Sequence, residues 1–130
     1  MNSSSVVLDS SALLAVLNRE TGADRLTPDL LLHSVSSTVN LAEVQGKLVE
    51  RGIPPANAWA ATLSSVNEAL PFTEEQARIA GSLIAQTRPF GLSLGDRACL
   101  ALAMELKAPV YTADRAWKDL KIGVRIHLIR

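Results

Sequence analysis

The chain has 130 residues, 48% of them hydrophobic and 20% charged, with thirteen basic and thirteen acidic side chains and a formal net charge of zero. That length and composition suit one globular domain over residues 1–130, able to bury about two thirds of its unfolded surface. The charge balance excludes nucleic-acid binding driven by overall charge and leaves a nucleic-acid substrate open.

One cysteine, Cys99, excludes an internal disulfide framework; between Ala98 and Leu100 it reads as a small buried apolar residue. The segment MNSSSVVLDSSALLAVLNRE has no basic leader, and Asp9 interrupts its apolar run, so no export signal is read there. No uninterrupted apolar stretch approaches the roughly 20 residues of a membrane-spanning helix, and a soluble, cytoplasmic protein with no membrane partner is the expectation.

In chain order, Ser5 to Leu8 is a short β-branched run that closes at Asp9, followed by the polar pair Ser10-Ser11 and a helical stretch from Ala12 to Asn18. Thr21 to Pro28 is a break. Leu30 to Val35 reads as a second strand, and Ser36, Ser37 and Thr38 offer hydroxyl caps for a helix that runs to Arg51 and stops at Gly52. Pro54 and Pro55 suit the opening of a further helix, whose apolar positions include Ala58 and Ala61 and which runs to about Val66. Ala69 to Phe72 is a strand candidate. Thr73 can cap a helix through Thr87, with Glu74 and Glu75 favourably placed in its first turn, and Arg88 to Gly91 breaks it. Leu94 to Lys107 is a strongly apolar helix ended by Ala108-Pro109, Val110 to Thr112 is a strand leading to Asp114, and a helical turn through Leu120 precedes a last strand, Val124 to Ile129.

Strands alternating with helices imply a three-layer α/β/α sandwich around a mostly parallel central sheet, with ligands bound at the carboxyl ends of the strands. Four acids then stand out at the edges of apolar segments: Asp9 in VVLDSSALLAVL, Glu43 in STVNLAEVQGKLV, Asp96 in GLSLGDRACLALAMEL and Asp114 in APVYTADRAW. Asp9 and Asp114 follow strands directly. Glu43 and Asp96 are placed in the first turns of helices that follow loops, where they can face the same crevice; Leu100 and Ala103 share a helix face with Asp96 and turn its carboxylate inward. Carboxylates at the rim of buried elements need a partner for their charge, and a divalent cation is the simplest one. An all-oxygen donor set suits Mg²⁺ or Mn²⁺, which can activate water and neutralise charge on a phosphodiester. The plainer account, four ordinary helix-start and turn acids, stays open at this level.

These motifs, LDSSALLA, TVNLAEV, LSLGDRACLALA and YTADRAW, resemble in order and approximate spacing the successive acidic motifs of PIN-domain ribonucleases, the nearest type being the VapC-like toxin of bacterial toxin–antitoxin pairs. The similarity runs from Val6 to Leu128. It implies a PIN-like fold and a divalent-metal-dependent endoribonuclease in which Asp9, Glu43, Asp96 and Asp114 form a catalytic, metal-binding pocket for Mg²⁺ (or Mn²⁺). Ser10 and Thr112 match supporting hydroxyls of the family, with Ser93 and Asn40 as further positions behind the acids. The resemblance also implies a homodimer, an RNA substrate, and a small antitoxin protein that fills the acidic groove, often with an arginine. Some family members carry another acid just behind the fourth; here Arg115 and Ala116 follow Asp114, which leaves the number of metal ions open.

The basic residues Arg88, Arg97, Arg115, Lys118 and Lys121 lie beside or between two of the acidic motifs, as solvated charges or as contacts to substrate. Trp117 reads as core and Trp59 as an interface anchor, and His33 and His127 read as structural. A phosphoryl-accepting receiver domain fits poorly, because Ser10 rather than an acid follows Asp9. An Asp-x-Asp phosphatase fails at Ser11. A catalytically silent PIN-like module that binds a protein partner is the alternative from another class.

Overall fold

In the computed structural model, which describes residues 4–130, the first strand lies at the centre of the sheet. Val6–Leu8 forms β1, and Asp9 ends it by capping α1, Ser10–Asn18. Thr27, whose hydroxyl accepts from the Leu30 amide, opens the one-turn helix α2, Pro28–Leu31; β2 is Ser34–Ser37, and it leads directly into α3, Thr38–Glu50. Helix α4 is Pro55–Ser64 and β3 is Glu68–Leu70. Two helices follow, α5 over Glu74–Ser82 and α6 over Ile84–Thr87, then α7 over Leu94–Leu106, β4 over Val110–Thr112 and β5 over Ile126–Leu128.

The five strands lie in the order β3-β2-β1-β4-β5, and each neighbouring pair is parallel. The chain builds outward from β1 through β2 to β3, then returns to β4 on the other flank of β1. Such a reversal leaves a crevice at the carboxyl ends of the two strands that border it, here β1 and β4. Alternation along the strands feeds two cores. Val7, Val35 and Val110 pack on one face with Cys99, Leu100, Leu102 and Trp117; Leu8 packs on the other with Leu13, Leu41, Val44 and Ala58. Helix α7 therefore backs one face of β1, while α1 and α3 back the other.

The strand expected over Leu30 to Val35 lies later. Thr27 and Pro28 supply a cap and a first helical residue, so the chain makes α2 first. Strand β2 is then built largely from serines, fully buried because their hydroxyls are satisfied: Ser34 Oγ donates to the Leu31 carbonyl and Ser36 Oγ to the Leu8 carbonyl. Ser37 keeps its expected capping role, accepting from the Val39 amide. The helix expected from Thr73 through Thr87 is divided at buried Leu83. The helix expected from Ala12 already begins at Ser10, because Asp9 is its cap. Glu43, expected in a first turn after a loop, lies instead in the second turn of α3, since no loop separates β2 from that helix.

Within the expected break at Thr21 to Pro28, Gly22 has φ 94°, and a side chain there would overlap the Ile129 carbonyl, so glycine lets the last strand close onto this turn. Among the described residues, no helix is long and apolar enough to cross a membrane.

Candidate active site

Asp9 is 2% exposed at the carboxyl end of β1. Its Oδ1 accepts from the Ala12 amide at 2.8 Å and from Ser11 Oγ at 2.7 Å, and its Oδ2 accepts from Thr112 Oγ1 at 2.5 Å. Thr112 ends β4, so this last bond spans the crevice between β1 and β4. Burial raises the Asp9 carboxyl to about 6, against the lowering effect of these hydrogen bonds, and the nearby Asp96 charge adds to the rise.

Glu43 enters from α3. Side chains on a helix lean toward its amino terminus, which carries this carboxylate back toward the strand ends. Ser10 Oγ donates to Glu43 Oε1 at 2.5 Å and Asn40 Nδ2 donates to the same oxygen at 3.0 Å. Asn40 Nδ2 also reaches the Gly95 carbonyl at 3.1 Å, tying α3 to the first turn of α7. On α7, Ser93 and Asp96 form a capping box: the Ser93 amide donates to Asp96 Oδ2 at 2.8 Å, and the Asp96 amide donates to Ser93 Oγ at 3.2 Å. Asp96 is half-buried, and desolvation raises its carboxyl, with the Glu43 and Asp114 charges adding to the rise. Asp114, exposed two residues past β4, caps the turn Arg115–Asp119 by accepting from the Ala116 amide at 2.9 Å, while its own amide donates to Thr112 Oγ1 at 3.0 Å.

The four carboxylates thus share one edge of the sheet, and the charges of Glu43 and Asp114 both act on Asp96, as that of Asp96 acts on Asp9. Neither ion pair among the described residues involves them, since Arg78 pairs with Glu75 and Arg130 with Glu20. Negative charge without a cationic partner, all-oxygen donors, and the buried Asn40 Oδ1, which lacks a hydrogen-bond partner, fit a hydrated hard cation. Among the described residues no three of His, Cys, Asp and Glu stand as a ready-made ligand cluster. That is compatible with an ion such as Mg²⁺, which keeps much of its water and takes only one or two carboxylates directly.

Of the expected supporting residues, Thr112 meets Asp9, whereas Ser10 reaches across to Glu43; Asn40 and Ser93 stand directly behind Glu43 and Asp96. Sequence reasoning missed Ser11. Its hydroxyl donates to Asp9, lies 3.2 Å from Thr112 Oγ1 and accepts from the Ala113 amide, so it knits both strand ends together. The signal was the doubled serine directly after the first acid. Of the basic residues, Arg97 donates to the Ala80 carbonyl and holds α5, and Arg115 donates to the Arg130 carbonyl, so these two are engaged structurally. Cys99 and Trp117 are wholly buried, Trp59 is 37% exposed on α4, and His127 stacks on Tyr111. Burial pushes the Cys99 thiol up, leaving it inert.

A family model for the PIN domain matches residues 6–123. No curated protein matches in sequence. Among solved structures, the chain is similar to VapC20 of Mycobacterium tuberculosis, described as a sarcin–ricin loop cleaving toxin, with TM-score 0.74 and 22% identity over 93% of this chain and 99% of that one. It is similar also to a toxin–antitoxin complex from Klebsiella pneumoniae, with TM-score 0.73 and 16% identity over 97% and 98% of the two chains. DNA-bound VapBC from Salmonella typhimurium gives TM-score 0.73 and 18% identity over the same shares. At these identities the likeness is one of fold.

Proposed function

The chain belongs to the PIN domain family, and on that premise we propose that it is a divalent-metal-dependent endoribonuclease acting in the cytoplasm as the toxin of a toxin–antitoxin pair. The observation that carries the reading is the set of four carboxylates at the β1–β4 switch point, with no protein cation paired to any of them among the described residues. Asp9, Glu43, Asp96 and Asp114 would hold Mg²⁺ (or Mn²⁺). When bound, such a cation activates water for attack on phosphorus and neutralises charge on the phosphodiester.

The chain's own groups prepare that site. Thr112, Ser11 and the Ala12 amide fix both oxygens of Asp9, so its carboxylate cannot rotate away from the crevice. Ser10 and Asn40 hold Glu43 by one oxygen and, among the described residues, leave the other free of hydrogen-bond donors. Asp114 stands at the open rim, where an RNA strand has access, and the capping box fixes Asp96 behind it.

Two supporting points concern partners. The Klebsiella pneumoniae structure whose fold this chain shares is a toxin–antitoxin complex, and an antitoxin tail carrying an arginine would satisfy the same unpaired negative charge. Trp59 and Leu63, both exposed on α4, give a hydrophobic face suited to a second copy of the chain.

Expression of the chain without a partner is expected to arrest bacterial growth, and the Asp9→Asn form, made and folded to the same level, is expected not to. Equal, unimpaired growth with both would count against the toxin and favour a silent protein-binding module.

A further inference from the structure

The outer flank of the sheet carries a second feature that the acidic pocket does not use. A cleft of about 370 Å³ runs along β5, the edge strand, lined by Arg25, Tyr111, Lys118, Ile126, His127 and Leu128 among others. Tyr111 and His127 are register partners on β4 and β5, and their rings stack with centroids 4.8 Å apart and planes 24° apart. Tyr111 is half-buried against the core, so the exposed His127 presents the free ring face to solvent. No carboxylate lines the cleft, and neither Arg25 nor Lys118 takes part in an ion pair among the described residues. In a chain of zero net charge, two unpaired cations beside an aromatic platform make a local positive site.

The cleft is coupled to the acids by covalent and hydrogen-bonded neighbours. Asp9 donates its amide to the Tyr111 carbonyl, and Lys118 rides on the turn that Asp114 caps.

We propose that the β5 cleft is a subsite for single-stranded RNA flanking the scissile bond: the His127 ring, backed by Tyr111, stacks one base, and Arg25 and Lys118 contact the adjoining phosphate. This rests on the endoribonuclease reading and deepens it by naming where the substrate strand leaves the acids. Base stacking on an aromatic face together with backbone phosphates on cations is how single strands are held without a need for sequence readout. The other occupant of an open strand edge, an extended peptide pairing with the β5 backbone, would draw on main-chain groups and would gain nothing from two unpaired cations.

The test uses the whole chain in EDTA, so that binding is read without cleavage, with a fluorescein-labelled, mixed-sequence single-stranded RNA and fluorescence anisotropy. The expected result is a loss of affinity of about tenfold for Arg25→Ala/Lys118→Ala, with a shallower dependence on salt because phosphate contacts are gone. His127→Ala is expected to lose about tenfold with the salt dependence unchanged, and His127→Phe to retain binding, since a phenyl ring stacks as well. Lys47→Ala, exposed on α3 and outside the cleft, is the control and should bind as the wild type does. Thermal melts matching the wild type show that the exposed substitutions leave the fold intact. Undiminished RNA binding by the cleft variants would overturn the proposal and leave the edge to a peptide strand. If those variants bind normally while the wild type cleaves RNA with added metal, the subsite alone falls; if the wild type neither binds nor cleaves RNA, the nuclease reading falls with it.

Discussion

The Glu43 carboxylate lies directly against Gly95, with no room between them for a side chain on the glycine. The two residues come from different helices, α3 and α7, bridged by Asn40. A Cβ at position 95 would overlap both carboxylate oxygens, and the flexible end of Glu43, rather than any backbone, is what would have to move. Gly95→Ala should therefore separate folding from function. Alanine favours the helix by up to about 1 kcal/mol, so the melting temperature should hold or rise. RNA cleavage should fall by at least about tenfold, because small misplacements in a site of this kind are costly. Cleavage at the wild-type rate would show that the position of Glu43 does not matter.

Asp9 makes a prediction about pH in the metal-free protein. Its folded value of about 6 lies above the ordinary 3.8, so the folded state binds the proton more tightly than the unfolded state does. Keeping Asp9 ionised therefore costs stability at pH 7 and above, and the cost is removed as the pH falls through 6 toward 4. The full effect is at most about 3 kcal/mol. Asp9→Asn is accordingly expected to be more stable than the wild type in urea titrations in EDTA at pH 7.5, with the difference shrinking toward pH 4.5. The same difference at both values would mean that the carboxylate is not destabilised by its burial.

Thr112→Val keeps the shape of a buried residue and removes the hydroxyl that serves Asp9 Oδ2. A buried charged acceptor left without its donor costs about 1–3 kcal/mol. The variant should lose stability on that scale in chemical denaturation at pH 7.5. The loss should be smaller in an Asp9→Asn background, where no charge is left unserved. Equal losses in both backgrounds would show that the hydroxyl acts through something other than Asp9.

The apolar, β-branched strands β1 and β4 were legible in the sequence because hydrophobic residues filled them, and the acids that follow them came with them. Strand β2 was misplaced because its burial is carried by Ser34, Ser36 and Ser37, whose fitness for the interior depends on carbonyls and amides that only the folded chain brings near. Ser10 and Ser11 illustrate the same limit at the site. Adjacent residues at the start of a helix point in different directions, so one hydroxyl serves Glu43 and the next serves Asp9. Spacing alone does not say which. The coupling of Gly95 to Glu43 is likewise a contact between distant segments, invisible to local pattern. The Asp96 capping box, by contrast, is written in four consecutive residues, Ser93 to Asp96.

The most direct measurement is cleavage of a mixed RNA pool by the purified, partner-free chain with Mg²⁺ or Mn²⁺, with EDTA, and with the Asp96→Asn variant. Asparagine can keep the bond from the Ser93 amide, so the variant should fold while lacking one of the four charges. The account predicts cutting by the wild type that needs the metal, stops with EDTA and falls by at least about a hundredfold in the variant. Cutting that persists in EDTA, or that Asp96→Asn leaves unchanged, would contradict the metal-dependent site at the β1–β4 edge.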